Sequence, residues 1–108
     1  MLSPRARRHL AALGHPLKPL IQIGKGGITE ALVAATNIAL ETHELVKVRV
    51  LTEAPVERHH AGDELAKASG AELAQVLGRT FLLYKRHPKK PKIVLPTSKK
   101  TSANDAET

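Results

Sequence analysis

The strongest constraint on the fold lies at residues 20–29. There the apolar run Leu20-Ile21-Gln22-Ile23 enters Gly24-Lys25-Gly26-Gly27, and helical spacing resumes from Ile28 through Leu32, Ala35 and Ala39. This reads as strand, glycine loop, helix. Downstream, Leu45 to Leu51 alternates cleanly, with Val46, Val48 and Val50 on one face and Lys47 and Arg49 on the other. A half-buried strand requires that period of two, so one face is expected to be core and the other open and basic.

The flanking segments supply more helices and a hairpin. Ser3 before Pro4 is an N-cap with proline at the first helical position, and Leu10 and Leu13 give an apolar stripe before Gly14 and Pro16 end the helix. Arg5, Arg7 and Arg8 ride on it. After Pro55 a helix is expected from about Glu57 to Ser69, closed by Gly70, with a thin apolar face of Ala61, Leu65 and Ala68. Leu73 to Leu77 and Thr80 to Tyr84 flank Gly78-Arg79, a pair suited to a tight turn with glycine at positive φ. Ile93-Val94-Leu95 is a candidate edge strand, and the residues after Pro96 have too little apolar surface to offset ordering entropy. The expected architecture is α/β, a single compact domain over residues 1–96 in which helices pack a small mixed sheet in the order α-β-α-β-α-β-β, followed by a disordered tail at 97–108. No internal repeat is visible.

Composition narrows the function. The 108 residues carry a formal charge of +7, and the charge is segregated. Before Glu30 the charged side chains are Arg5, Arg7, Arg8, Lys18 and Lys25, and from Arg79 to Lys100 every charge is again positive. A fold that joins these ends makes one cationic face for nucleic acid or an anionic surface; otherwise they are a solubilising coat. Phe81 and Tyr84 are the only aromatics, which disfavours base stacking as the main mode of recognition. With no cysteine there is no disulfide, thiolate nucleophile or Cys-type zinc site, and a reducing compartment fits. No long apolar run or secretory leader is present, so a cytoplasmic, membrane-free protein is expected.

The glycine loop suits a phosphate on three counts. Glycines let the backbone approach a ligand, loop N–H groups can face outward, and the following helix N-terminus carries a partial positive charge. Lys25 adds a full charge. Gly24 to Gly27 has the Gly-x-x-Gly spacing that clamps nucleotide backbone in KH domains. The lysine and hydroxyl of a triphosphate P-loop are missing, and Thr29 stands where a dinucleotide fingerprint needs its last glycine. Lys47 and Arg49, and the denser run of Lys85, Arg86, Lys89, Lys90 and Lys92, are candidate phosphate contacts that also fit a solvated surface.

Chemistry beyond binding finds little support. His59-His60, with His43 and His87 elsewhere, lacks the spacing of a metal site, since adjacent helical residues point in different directions. No nucleophile elbow or paired acid and base is recognisable, so no enzyme and no cofactor is expected. A phosphate-ester enzyme using the loop as an anion cradle has Glu30 as its only nearby acid or base. A nonspecific DNA-coating protein is the main rival within nucleic-acid binding.

Several ordered blocks carry a family resemblance. His15-Pro16-Leu17-Lys18-Pro19, the Gly24 to Gly27 loop before Ile28-Thr29-Glu30, Ala39 through Val48, and Gln75-Val76-Leu77-Gly78-Arg79-Thr80 through Lys85 together resemble the CRM domain in its stand-alone bacterial YhbY form. The similarity runs to about Pro96. It implies a fold similar to the C-terminal domain of bacterial translation initiation factor three, with a KH-like loop. It also implies RNA binding: bacterial members associate with precursors of the large ribosomal subunit, and plant relatives assist chloroplast intron splicing. Carried over by residue, the loop positions are Gly24, Lys25, Gly26 and Gly27; Lys47, Arg49, Lys85 and Arg86 join them as expected RNA contacts on electrostatic grounds, and a monomer bound to ribosomal RNA is expected. Gly26 departs from the family, whose members often have a polar residue there, which makes this loop more mobile.

Overall fold

The computed structural model describes residues 2–89 together with 91, 93 and 95. It contains helix α1 (Pro4–Gly14), strand β1 (Ile21–Ile23), helix α2 (Glu30–His43), strand β2 (Leu45–Val50), helix α3 (Arg58–Ser69) and strands β3 (Glu72–Leu77) and β4 (Thr80–Tyr84). The element order is the expected one. The strands form a single mixed sheet in the order β1-β2-β4-β3, with β1 parallel to β2 and the other pairs antiparallel.

Local chemistry sets the boundaries. Ser3 Oγ accepts the Ala6 N–H at 3.1 Å and Pro4 opens α1, while Thr29 Oγ1 accepts the Leu32 N–H at 3.1 Å, so α2 starts at Glu30 and not at Ile28. Gly70 closes α3 in the left-handed region, and between β3 and β4 only the first turn residue, Gly78, has positive φ, the pattern of a type II′ hairpin. β3 is bulged between Leu73 and Gln75, and the Arg7 guanidinium donates to the Leu73 carbonyl at 2.7 Å.

Two apolar layers enclose the sheet. Val46, Val48 and Val50 meet Ile23, Leu40, Leu65, Phe81 and Leu83 beneath α2 and α3. On the other side, Leu2 and, from α1, Ala6 and Leu10 pack against Leu45, Ala74, Leu82 and Tyr84. The second face of β2 is therefore not wholly open: Leu45 is buried under α1, Lys47 is half-buried, and only Arg49 is exposed. Gly14 lets α1 lie this close, since a Cβ there would stand 2.5 Å from Leu82 Cδ1.

The helical faces also differ from the expected ones. In α1 the buried stripe is Ala6, Leu10 and Gly14, continued by Leu2 ahead of the helix, and Leu13 is 41% exposed. In α2 Thr36 and Leu40 are buried and Ala35 is exposed; the Thr36 hydroxyl donates to the Leu32 carbonyl at 2.8 Å, which lets a polar residue sit inside. In α3 Ala66 and Ser69 are buried and Ala68 is not, the Ser69 hydroxyl being satisfied by the Leu65 carbonyl at 2.7 Å. Of the candidate edge strand, Ile93 and Leu95 lie in no strand and pack against the α1 layer, while Val94 lies outside the described residues. The tail expected at 97–108 also lies outside them.

The α1 layer depends on Leu10, which is fully buried. Leu10→Ala is expected to cost about 2–5 kcal/mol in urea unfolding, and Leu13→Ala no more than about 0.5 kcal/mol. Equal effects would mean that α1 is seated on a different face.

Candidate nucleic-acid interface

The pairing of β2 decides which basic residues meet. Ile23 pairs with Val50, and the Leu51 N–H donates to the Ile23 carbonyl at 2.9 Å, so the glycine loop leaves the sheet beside the C-terminal end of β2. On the opposite flank of β2, Arg49 pairs with Thr80 and the Val50 N–H donates to the Arg79 carbonyl at 2.7 Å. Gly24 to Gly27, Arg49 and the turn residue Arg79 therefore share one end of the sheet. Lys25, Arg49 and Arg79 are all exposed there.

The loop is a closed turn. The Gly27 N–H donates to the Gly24 carbonyl at 3.0 Å, and Gly27 has φ of 67°, a conformation that costs any residue with a Cβ. Pro55 packs close behind, 3.3 Å from where a Gly27 Cβ would be. Gly26 is exposed, lacks the positive φ, and would place a Cβ no nearer than 3.6 Å from Thr29 Cγ2. The turn runs straight into the N-terminus of α2, where first-turn N–H groups lie beyond the reach of intrahelical acceptors.

The remaining candidates are dispersed. Lys47 is at mid-sheet, its Nζ donating to the His15 carbonyl at 3.3 Å after α1. Lys85 and Arg86 follow β4 at the opposite end from the loop, since Tyr84 pairs with Leu45. Five residue steps, from Leu45 to Val50, separate the ends, about 17 Å at the usual strand rise. Lys85 Nζ donates to the Ser69 carbonyl at 3.0 Å and so serves the C-terminus of α3. Arg86 instead lines a cleft with Tyr84, Pro91, Ile93 and Leu95.

Charge is divided by layer as well as by end. α1 carries Arg5, Arg7 and Arg8 with no acid, while Glu30, Glu41, Asp63 and Glu64 are exposed on α2 and α3, where Lys67 is also exposed. The α1 side and the loop end together carry the larger cationic surface. The sequence reading missed Arg79, treated there only as a turn residue, because its value depends on a strand pairing that no local pattern reveals. It also missed Glu44, a fully buried carboxylate.

Glu30 lines a surface groove with Val33, Ala34, Asn37, Glu64 and Ala68 between the two helices. Glu57 caps α3, its carboxylate accepting the His59 N–H at 3.1 Å and meeting His59 Nδ1 at 2.9 Å. The His59 N–H first and the His59 side chain second hold the Glu57 carboxyl below its ordinary pKa. Among the described residues no three His, Asp or Glu side chains cluster to hold a metal, and no helix is long and apolar enough to cross a membrane.

The chain has relatives among known proteins. The model of the CRS1/YhbY (CRM) domain matches residues 2–85. The chain is 35% identical over 96 residues to Probable RNA-binding protein YqeI of Bacillus subtilis, covering 89% of this chain and 100% of that one. It is 32% identical over 95 residues to a Haemophilus influenzae protein named RNA-binding protein, covering 88% and 95% of the two chains. A solution structure of a Staphylococcus aureus protein, described as a candidate RNA binding protein, superposes with a TM-score of 0.76 at 35% identity, covering 89% of this chain and 100% of that one.

The loop geometry separates two neighbouring glycines. Gly27→Ala is expected to destabilise the protein by about 1 kcal/mol and Gly26→Ala by no more than about 0.5 kcal/mol in chemical denaturation. The reverse order would show that the turn has another conformation.

Proposed function

This chain belongs to the CRS1/YhbY (CRM) domain family, and we propose on that premise that it is a non-catalytic RNA-binding protein that grips the phosphate backbone at the loop end of its sheet. The observation that carries the reading is the convergence of Gly24 to Gly27 with Lys25, Arg49 and Arg79, produced by hydrogen bonds on both flanks of β2. Such a site can contact phosphate through backbone N–H groups and cations together. Both aromatic side chains are buried, Phe81 at 1% exposure and Tyr84 at 4%, so neither offers a surface on which an unpaired base could stack. Positioning on the backbone of a folded RNA is the mode that remains.

The ligand proposed is ribosomal RNA in precursors of the large subunit, with the protein acting in the cytoplasm as a monomeric assembly factor. The printed names of its relatives support RNA as the ligand class. The net charge of +7 also suits a nonspecific DNA-coating protein, which would bind duplex DNA as tightly as folded RNA. Competition between a labelled RNA hairpin and duplex DNA separates the two. RNA preference supports the proposal and equal affinity supports the rival.

Gly26→Asp places a negative charge in the loop where there is room for a side chain. It is expected to abolish binding of the labelled hairpin with circular dichroism and melting unchanged; unaltered binding would sink the loop assignment. Lys25→Ala and Arg49→Ala should each weaken binding across RNA sequences. Each should also reduce the slope of log affinity against log salt by about 0.7–0.9. In a sucrose gradient of gently lysed cells the protein is expected with large-subunit precursors, and a peak with the nucleoid would favour DNA.

A further inference from the structure

Glu44 is the least ordinary residue of the chain. It is 0% exposed, and it ends α2 with φ of 60°, the only positive φ among the described non-glycine residues. Glycine is the usual occupant of such a position because it has no Cβ to strain. A glutamate there is disfavoured by its backbone and again by the burial of its charge, so its contacts must offset both.

Three of those contacts come from the segment after β4. The Glu44 carbonyl accepts the Lys85 N–H at 2.9 Å. Its carboxylate accepts the His87 N–H on Oε2 at 2.7 Å and the Ile93 N–H on Oε1 at 2.8 Å. Pro88 and Pro91 have no N–H and interrupt any continuation of the β4 ladder. The carboxylate takes the place of a neighbouring strand. Held in this way, the segment turns onto the α1 side, where Ile93 and Leu95 pack against the cluster of Leu2, Ala6, Leu10, Leu45 and Tyr84. Burial, and after it the nearby Glu44 carboxylate, push the Tyr84 phenol above its ordinary pKa.

We propose that residues 86–89, tied back by Glu44, form a strap that adds a second RNA-backbone contact, made by Arg86 and Lys89, and that Glu44 is the residue that positions it. The inference rests on the RNA-binding reading above and adds a contact at the far end of the sheet from the glycine loop. Arg86 and Lys89 are both exposed, and Arg5 and Arg8 project into solvent from the helix beneath the strap. Arg86 also borders a cleft containing Glu41, so Lys89 is the less encumbered of the two cations. A buried carboxylate fixes these cations before RNA arrives. A loose strap would have to be ordered at the moment of binding, and affinity would fall accordingly.

The test uses the full chain, the labelled RNA hairpin and three variants. Arg86→Gln with Lys89→Gln changes only exposed side chains. It should lower the slope of log affinity against log salt by about 1.5, two contacts at the usual increment. Glu44→Gly relieves the backbone and removes the clasp, and should weaken binding roughly tenfold while speeding amide exchange at His87 and Ile93. In the Glu44→Gly background the two charge substitutions should cost less than in the native chain, because the cations are no longer held. Glu44→Gln, which keeps one acceptor, should fall between and serves in place of glycine if that variant fails to fold. Unchanged slope in the Arg86 and Lys89 variant overturns the proposal, as does a Glu44 variant that melts earlier but binds with native affinity and slope. Either result leaves the loop reading standing if Gly26→Asp still abolishes binding. A native chain that binds no RNA overturns both.

Discussion

Strand β2 is hydrogen-bonded on both flanks, parallel to β1 and antiparallel to β4, and every functional assignment follows from that arrangement. The parallel partner delivers the glycine loop to its C-terminal end, and the antiparallel partner delivers the hairpin turn with Arg79 to the same end. The other end receives Glu44 and the residues after β4. The six residues of β2 thus sort the chain's cations into two groups that sequence distance would not have paired. Parallel strands need a covering connection, and α2 is that connection, which is why the loop opens directly onto a helix N-terminus.

Both sheet faces are needed to stabilise a chain of this size. The layer under α2 and α3 is built from branched aliphatic residues and one phenylalanine, and the layer under α1 is smaller. Each buried leucine contributes about 1.5–3 kcal/mol by transfer from water, so losing the α1 layer would remove much of the margin of a small domain. The basic residues of α1 are carried on a helix that the fold requires anyway. Positive charge and structural contact coincide in Arg7, whose guanidinium tethers α1 to β3.

Much of the fold was legible in the sequence because the strands alternate with period two and the helix ends are marked by Ser3, Thr29, Gly70 and Gly78. The helical faces were less so. Alanine-rich helices give weak periodicity, and Thr36 and Ser69 occupy buried positions through hydroxyl bonds to their own helices. Calling Leu13 a core residue failed because Gly14, which lacks a side chain, holds the close contact with Leu82. The proposed site is legible where it is local, in the glycine loop, and illegible where it depends on pairing. Lys85 reads as a binding cation yet serves the end of α3, whereas Arg79 reads as a turn residue yet stands beside the loop. Glu44 gave no signal at all, since a glutamate at a helix end is ordinarily solvated.

The bulge in β3 and the Arg7 bond to its Leu73 carbonyl bear on how many copies can crowd together. A four-stranded sheet has two free margins, each able to recruit a strand from a neighbour. Here one margin is only three residues long, and the other is kinked with a carbonyl already occupied by a guanidinium. Neither is a good template for strand addition. Many copies drawn onto one long polyanion can therefore sit side by side at high local concentration without their sheets fusing into a fibre.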